Sequence, residues 1–87
     1  MASTISQIKQ QVDQIGKQAK STSAQLAQLA KNLEKNVAAV QKSIGGTANG
    51  EDQDMIAAFQ QASQAVEKAA QSLQAASKSA TDWANKA

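Results

Sequence analysis

Apolar side chains recur at steps of three and four along most of this chain, and that spacing restricts the fold more than any other feature. From the front, the positions are Ile5, Ile8, Val12, Ile15, Ala19, Thr22, Leu26, Leu29, Leu33, Val37, Val40 and Ile44, with Thr22 the single polar interruption. Their mean spacing, about 3.5 residues, keeps a narrow stripe on one side of an α-helix and is the period of a coiled-coil seam. A second run, Met55, Phe59, Ala62, Val66, Ala69, Leu73, Ala76, Ala80, Trp83 and Ala87, alternates four and three without a fault. Two long helices are predicted, over about 4–44 and 51–86.

Between the two runs lies GGTANG, residues 45–50, where Gly45, Gly46 and Gly50 are three of the chain's four glycines and no large side chain occurs. Such a segment reads as a turn, and a connection this short permits only antiparallel helices. The expected fold class is all-α: one antiparallel two-helix hairpin, coiled-coil-like, spanning 1–87 and assembling into a four-helix bundle. Thr4 with Gln7 fits a capping box at the first helix, and Gly45 can close that helix in the left-handed conformation. Glu51, Asp52 and Asp54 bring negative charge to the start of the second helix, where the macrodipole favours it, with Asn49 or Thr47 as its cap.

In the second stripe one register is all alanine, at 62, 69 and 76, while the other carries Phe59, Val66 and Leu73. Small residues at every seventh position let helices approach closely, and the leucines of the first helix would fill the space they leave. The expected intramolecular seam is therefore Ile8, Val12, Ile15, Leu26, Leu29, Leu33 and Val40 against Phe59, Ala62, Val66, Ala69, Leu73 and Ala76. Gly16 and the run Ser21, Thr22, Ser23 weaken the first helix by propensity; they mark either a bend or a tolerated weak spot.

Composition narrows the chemistry. Nineteen alanines, 14 glutamines and nine serines make up nearly half of the 87 residues, and there is no Cys, His, Pro or Tyr. Disulfides, thiolate metal sites and cysteine nucleophiles are thereby excluded. The acids at 51, 52 and 54 lack the twelve-residue spacing and terminal glutamate of a calcium loop, so no metal and no cofactor is expected. Catalysis needs a perturbed acid, base or nucleophile in a concave site, which a two-helix rod is not expected to offer; the chain reads as a non-enzyme. All nine basic residues are lysine, without the arginine that reads guanine edges, and nucleic acid is not an expected partner. The first segment, MASTISQIKQ, lacks the basic and apolar regions of a secretory signal, and no run is apolar enough to span a bilayer.

Charge divides unevenly, with a net +4 on the first helix and −2 on the rest. The lysines of the first helix are dispersed around it, as on a solvated face, and membrane binding is not expected. Only 14 residues are Ile, Val, Leu or Phe, a small interior for a chain of this length, so a homodimer or a heterodimer with another helical protein is expected. Candidate contact positions are the alanine flanks, Ala58, Ala65 and Ala70 on the second helix with Ala27, Ala30 and Ala38 on the first. Trp83 has two readings: a seam residue closing the open end near Ile5 and Ile8, or an anchor for a partner.

Length, two long antiparallel helices, the midpoint glycines Gly45, Gly46 and Gly50 and the missing leader resemble the small WxG-type helical hairpins of type VII secretion. In motifs the chain is divergent. The family's turn tryptophan is absent, no Tyr-x-x-x-Asp/Glu follows because there is no tyrosine, Trp83 is followed four positions on by Ala87, and Phe59 by Ser63. The resemblance implies a secreted substrate, or a targeting partner or chaperone for a larger secreted toxin, that is cytoplasmic before export and leaves without a cleavable signal peptide. The alternatives in other classes are an oligomerising filament subunit of a secretion apparatus and a membrane-surface amphipathic protein.

Overall fold

The computed structural model describes residues 2–44 and 50–86. Two α-helices, α1 (Ala2–Ile44) and α2 (Gly50–Lys86), pack side by side in a hairpin 69 Å long and about 16 Å across. No strand occurs among the described residues. The predicted turn falls on 45–49, outside the described residues together with its candidate caps Thr47 and Asn49; Gly50 already belongs to α2. Helix α1 begins at Ala2, ahead of the expected start, so Thr4 lies within its first turn rather than capping it. Glu51 and Asp52 occupy the first turn of α2, and Lys42 and Lys86 the last turns of the two helices, each sign matching the macrodipole.

Helix α1 runs unbroken through Gly16 and the Ser21 to Ser23 stretch. These residues are where the helices meet. Buried on α1 are Gly16, Ser23, Ala30 and Val37, and on α2 Ser63, Ala70 and Ser77, each seven residues from the next. Three hydroxyl-to-carbonyl bonds lock the register: Ser77 Oγ donates to the Gly16 carbonyl at 2.5 Å, Ser23 Oγ to Ala70 at 2.6 Å and Ser63 Oγ to Ala30 at 3.1 Å. Only side chains one or two atoms long permit such bonds, because the opposing backbone must come within reach of a serine oxygen. Every buried side-chain polar atom among the described residues has a partner, which removes the penalty of burying hydroxyls.

The middle of the hairpin is nearly two-fold symmetric. Ser23 and Ala30 stand on α1 as Ser63 and Ala70 stand on α2, and each serine donates to the alanine across from it. Toward the open end the approach is closest: a Cβ placed on Gly16 would lie 2.9 Å from Thr81 Cγ2 and 3.2 Å from the Ser77 carbonyl oxygen. Thr81 turns its hydroxyl onto the Ser77 and Lys78 carbonyls of its own helix, leaving its methyl facing Gly16. Toward the turn, the same heptad positions are filled by Val37 and Ile56.

The contact therefore differs from the expected seam by one helical position. Val12, Leu26, Leu33, Val66 and Leu73 are half-buried along one edge of it, but Ile8, Ile15, Leu29, Val40 and Phe59 are exposed, as are Ala62, Ala69 and Ala76. The physical reason is that the small residues allow the backbones to come together, whereas leucines and isoleucines on the centre line would hold them apart.

Candidate docking surface

On each helix the large-residue stripe sits beside the small-residue stripe, displaced in the same rotational sense. Positions one before and three after each seam residue carry it: Ile15, Leu26, Leu29 and Leu33 on α1, Ala62, Val66, Ala69 and Leu73 on α2. Because the helices are antiparallel and of one hand, equal displacement from the shared seam brings both stripes to the same broad side of the hairpin. The groove walls agree with this. On that side a crevice is lined by Leu33, Asn36, Val37, Val40, Met55, Ile56 and Phe59; on the reverse side, at the same level, a shallow groove is lined by Glu34, Ala38, Gln41, Gln60 and Gln64 with Val37 and Ser63 at its floor.

The two broad sides differ chemically. All the exposed large apolar residues among those described, Ile5, Ile8, Ile15, Leu29, Val40, Met55, Phe59 and Trp83, belong to the two stripes, and no stripe position from Ile5 to Val40 or from Met55 to Trp83 is charged. Ile15 is 60% exposed and Trp83 47%. The reverse side takes Asp13, Lys17, Lys20, Lys31, Glu34, Glu67 and Lys78, by their helical position relative to the seam. There Lys17 Nζ lies 3.1 Å from Asp13 Oδ2, one turn apart on a solvated surface.

The predicted contact positions separate accordingly. Ala70 and Ala30 are buried inside the hairpin and cannot meet a partner, which corrects the expectation for both; each lies on the serine-bonded seam that hydropathy does not mark. Ala58, Ala65, Ala27 and Ala38 are exposed. Trp83 is exposed on the apolar side, close to the level of Lys9 and Gln10 as set by the seam register. The exposed isoleucines and Met55 enter the surface as neighbours that the expected packing had turned inward.

Among the described residues no three acidic side chains come together as a metal site, and no helix is long and apolar enough to cross a membrane. The seven lining residues of the crevice include no titratable group. No family model, curated protein or solved structure matches the chain.

Proposed function

We propose that this chain is a non-catalytic helical docking protein, whose uncharged apolar side packs against the helical surface of another protein molecule. One observation carries the reading: the exposed large apolar side chains gather on one broad side, which carries no charged residue from Ile5 to Val40 or from Met55 to Trp83. A contiguous apolar patch larger than a few hundred Å2 on a soluble protein marks an interaction site, and here the patch follows the length of a 69 Å rod. Helix-to-helix docking suits it, because ridges at heptad spacing fit the grooves of another helix pair.

Within that class, we read the chain as a substrate or targeting partner of a type VII secretion system. The length, the paired helices and the glycine-rich midpoint support this, and it is the narrower claim. Docking is tested by placing a photoreactive side chain at Ile15, Leu29 or Ala69 and, separately, at Lys31 on the reverse side, then irradiating producing cells. Protein adducts from the first three positions and none from Lys31 are expected; equal yields from both sides would overturn the docking reading. Export is tested independently, by whether the chain reaches the medium of its native host and stops doing so when an FtsK-type secretion ATPase is deleted.

A further inference from the structure

We propose, on the docking reading above, that Met55 is a reversible modification site: a hydroperoxide converts its thioether to the sulfoxide, and the sulfoxide weakens docking on the apolar side. Few side chains here answer to an oxidant. With no cysteine, histidine or tyrosine, the chain offers no thiol, imidazole or phenol. Its sulfur resides in Met1 and Met55 alone, and Met55 is the one methionine among the described residues. Thioether sulfur is polarizable and is oxidised to the sulfoxide, and that of Met55 belongs to a side chain 41% exposed. Trp83, the only tryptophan, is exposed as well. Both oxidisable side chains among the described residues thus stand on the apolar side, and the charged reverse side has none.

The placement of Met55 directs oxidation to docking and away from folding. Along α2 it stands one position before Ile56, in the column of Ala62, Ala69 and Ala76, which lies outside the close contact of the helices. The nearest interhelical hydroxyl bond, from Ser63 to Ala30, is eight residues on, about 12 Å along the helix. A sulfoxide at 55 is therefore hydrated while the hairpin is alone, and the seam is untouched.

Docking changes that balance. Met55 lines the crevice of about 260 Å3 together with Leu33, Val40 and Phe59, and Asn36 is the one polar residue of its lining. A partner covering the crevice strips water from the strongly accepting S–O oxygen, and the apolar walls return no hydrogen bond. The Asn36 carboxamide, on the opposite helix, is the one donor among the lining side chains, and a single bond does not replace a hydration shell. The penalty falls on the docked state alone.

The step balances without any group that the chain lacks, apart from the peroxide itself. A sulfur lone pair attacks the distal oxygen of the hydroperoxide; the S–O bond forms as the O–O bond breaks, and the departing oxygen takes the proton and leaves as water or an alcohol. Sulfur gives up two electrons and the peroxide accepts them. No net charge appears, so the effect persists in salt. Reversal falls to thiol-dependent methionine sulfoxide reductases, one for each sulfoxide epimer.

A purified chain carrying a photoreactive side chain at Leu29 is left untreated, oxidised with hydrogen peroxide until the Met55 peptide gains one oxygen by mass, or oxidised and then reduced by both reductases. Each sample is irradiated in extract of producing cells. Adduct yield is expected to fall roughly tenfold or more on oxidation and to recover on reduction, with helicity by circular dichroism unchanged. Met55→Leu, which keeps Met1 as its only sulfur, should hold its yield through peroxide, and Met55→Gln should show the low yield without it. A yield that survives full oxidation of Met55, a Met55→Leu chain that loses its yield in peroxide, or a sulfoxide chain that loses helicity would each overturn the proposal and leave the docking reading standing. No adducts from the untreated chain would sink both.

Discussion

Two stripes run side by side along each helix, and the less apolar one makes the fold. Gly16, Ser23, Ala30, Ser63, Ala70 and Ser77 form the close contact, while Ile8, Ile15, Leu29, Phe59 and Trp83 remain exposed next to it. Transfer free energy alone would choose the opposite arrangement, since a fully buried leucine or phenylalanine contributes about 1.5–3 kcal/mol. The difference teaches that closeness is itself a source of stability. Where two backbones approach within a serine's reach, dispersion acts over many atom pairs, and each hydroxyl bond adds about 1 kcal/mol net. The large residues then remain exposed beside that contact, where they form the surface that the docking proposal uses.

The widest separation between the stripes is expected from adjacent alanines. Ala70 is buried against Ser23, and Ala69, one position earlier, is exposed. Ala70→Leu must push apart helices held at hydroxyl-to-carbonyl distance and should lower stability by about 3 kcal/mol, whereas Ala69→Leu should stay within about 0.5 kcal/mol. Thermal midpoints by circular dichroism at matched protein concentration check the pair. Equal effects would mean that the seam has no close contact at 70.

That pair of alanines also marks where the sequence was legible. The existence and type of both helices follow from the three-and-four spacing and the glycines between the runs, because periodicity is a property of the backbone and survives an error in which face is buried. The face did not follow. A search for large apolar residues settles on Leu26, Leu29, Phe59 and Leu73, and assigns alanine at 62, 69 and 76 the role of small spacer; the structure uses the neighbouring series at 63, 70 and 77. Serine and glycine score as polar or helix-weakening in such a search, so Gly16 and Ser23 read as a flaw. Their recurrence at seven-residue intervals, 16, 23 and 30 on one helix and 63, 70 and 77 on the other, was the signal available, and only the bonds to opposing carbonyls explain why that recurrence is useful. Of the exposed apolar side, Trp83 was open to two readings from its type and position, and its exposure is what the structure adds; the crevice was not legible, because it depends on Met55 and Val40 standing at one level on different helices.

Gly16 sharpens the same comparison within one residue type. Alanine is about 1 kcal/mol more favourable than glycine inside a helix, so on propensity Gly16→Ala should stabilise α1. Its Cβ would lie 2.9 Å from Thr81 Cγ2 and 3.2 Å from a backbone oxygen, and neither the branched threonine nor a helical carbonyl can withdraw without moving α2. Overpacking costs about 1–3 kcal/mol, and a net loss of about 1 kcal/mol is expected. Gly50, at the start of α2, meets nothing within 4 Å, and Gly50→Ala should change stability by less than about 0.5 kcal/mol. Denaturant midpoints with unchanged slopes would check both; a stabilised Gly16→Ala chain would mean that the helices are farther apart than the serine bonds require.

Serines divide in the same way. Ser63 is 2% exposed and bonds across the interface to Ala30, whereas Ser72 is exposed on α2. Ser63→Ala should lose about 0.5–1 kcal/mol: the bond is worth about 1 kcal/mol, and alanine's better helix propensity recovers part of it. The Ala30 carbonyl sits mid-helix in α1, so its helical partner remains and no orphan acceptor adds to the cost. Ser72→Ala has propensity alone and should be neutral or slightly stabilising. If both raise the melting midpoint, the interhelical hydroxyl bonds contribute nothing net.

The charged side should matter least to the fold. On it the Asp13–Lys17 pair has the acid one turn before the base, the favourable order on a helix, yet such pairs are worth about 0.3–0.5 kcal/mol and are screened by salt. Lys17 is 73% exposed there, which leaves its ammonium in water and the pair at the low end of that range. Lys17→Ala should therefore move the thermal midpoint by less than about 3 °C in a domain of this size. Raising sodium chloride to about 0.5 M shortens the screening length to roughly 4 Å and should erase even that difference. It should leave the Ala70→Leu and Gly16→Ala deficits intact, because contacts between uncharged atoms are not screened. A charged-side variant whose effect rivalled those two would move the origin of the hairpin's stability from close backbone approach to electrostatic attraction between α1 and α2, and the small-residue seam would then be a consequence of the pairing rather than its cause.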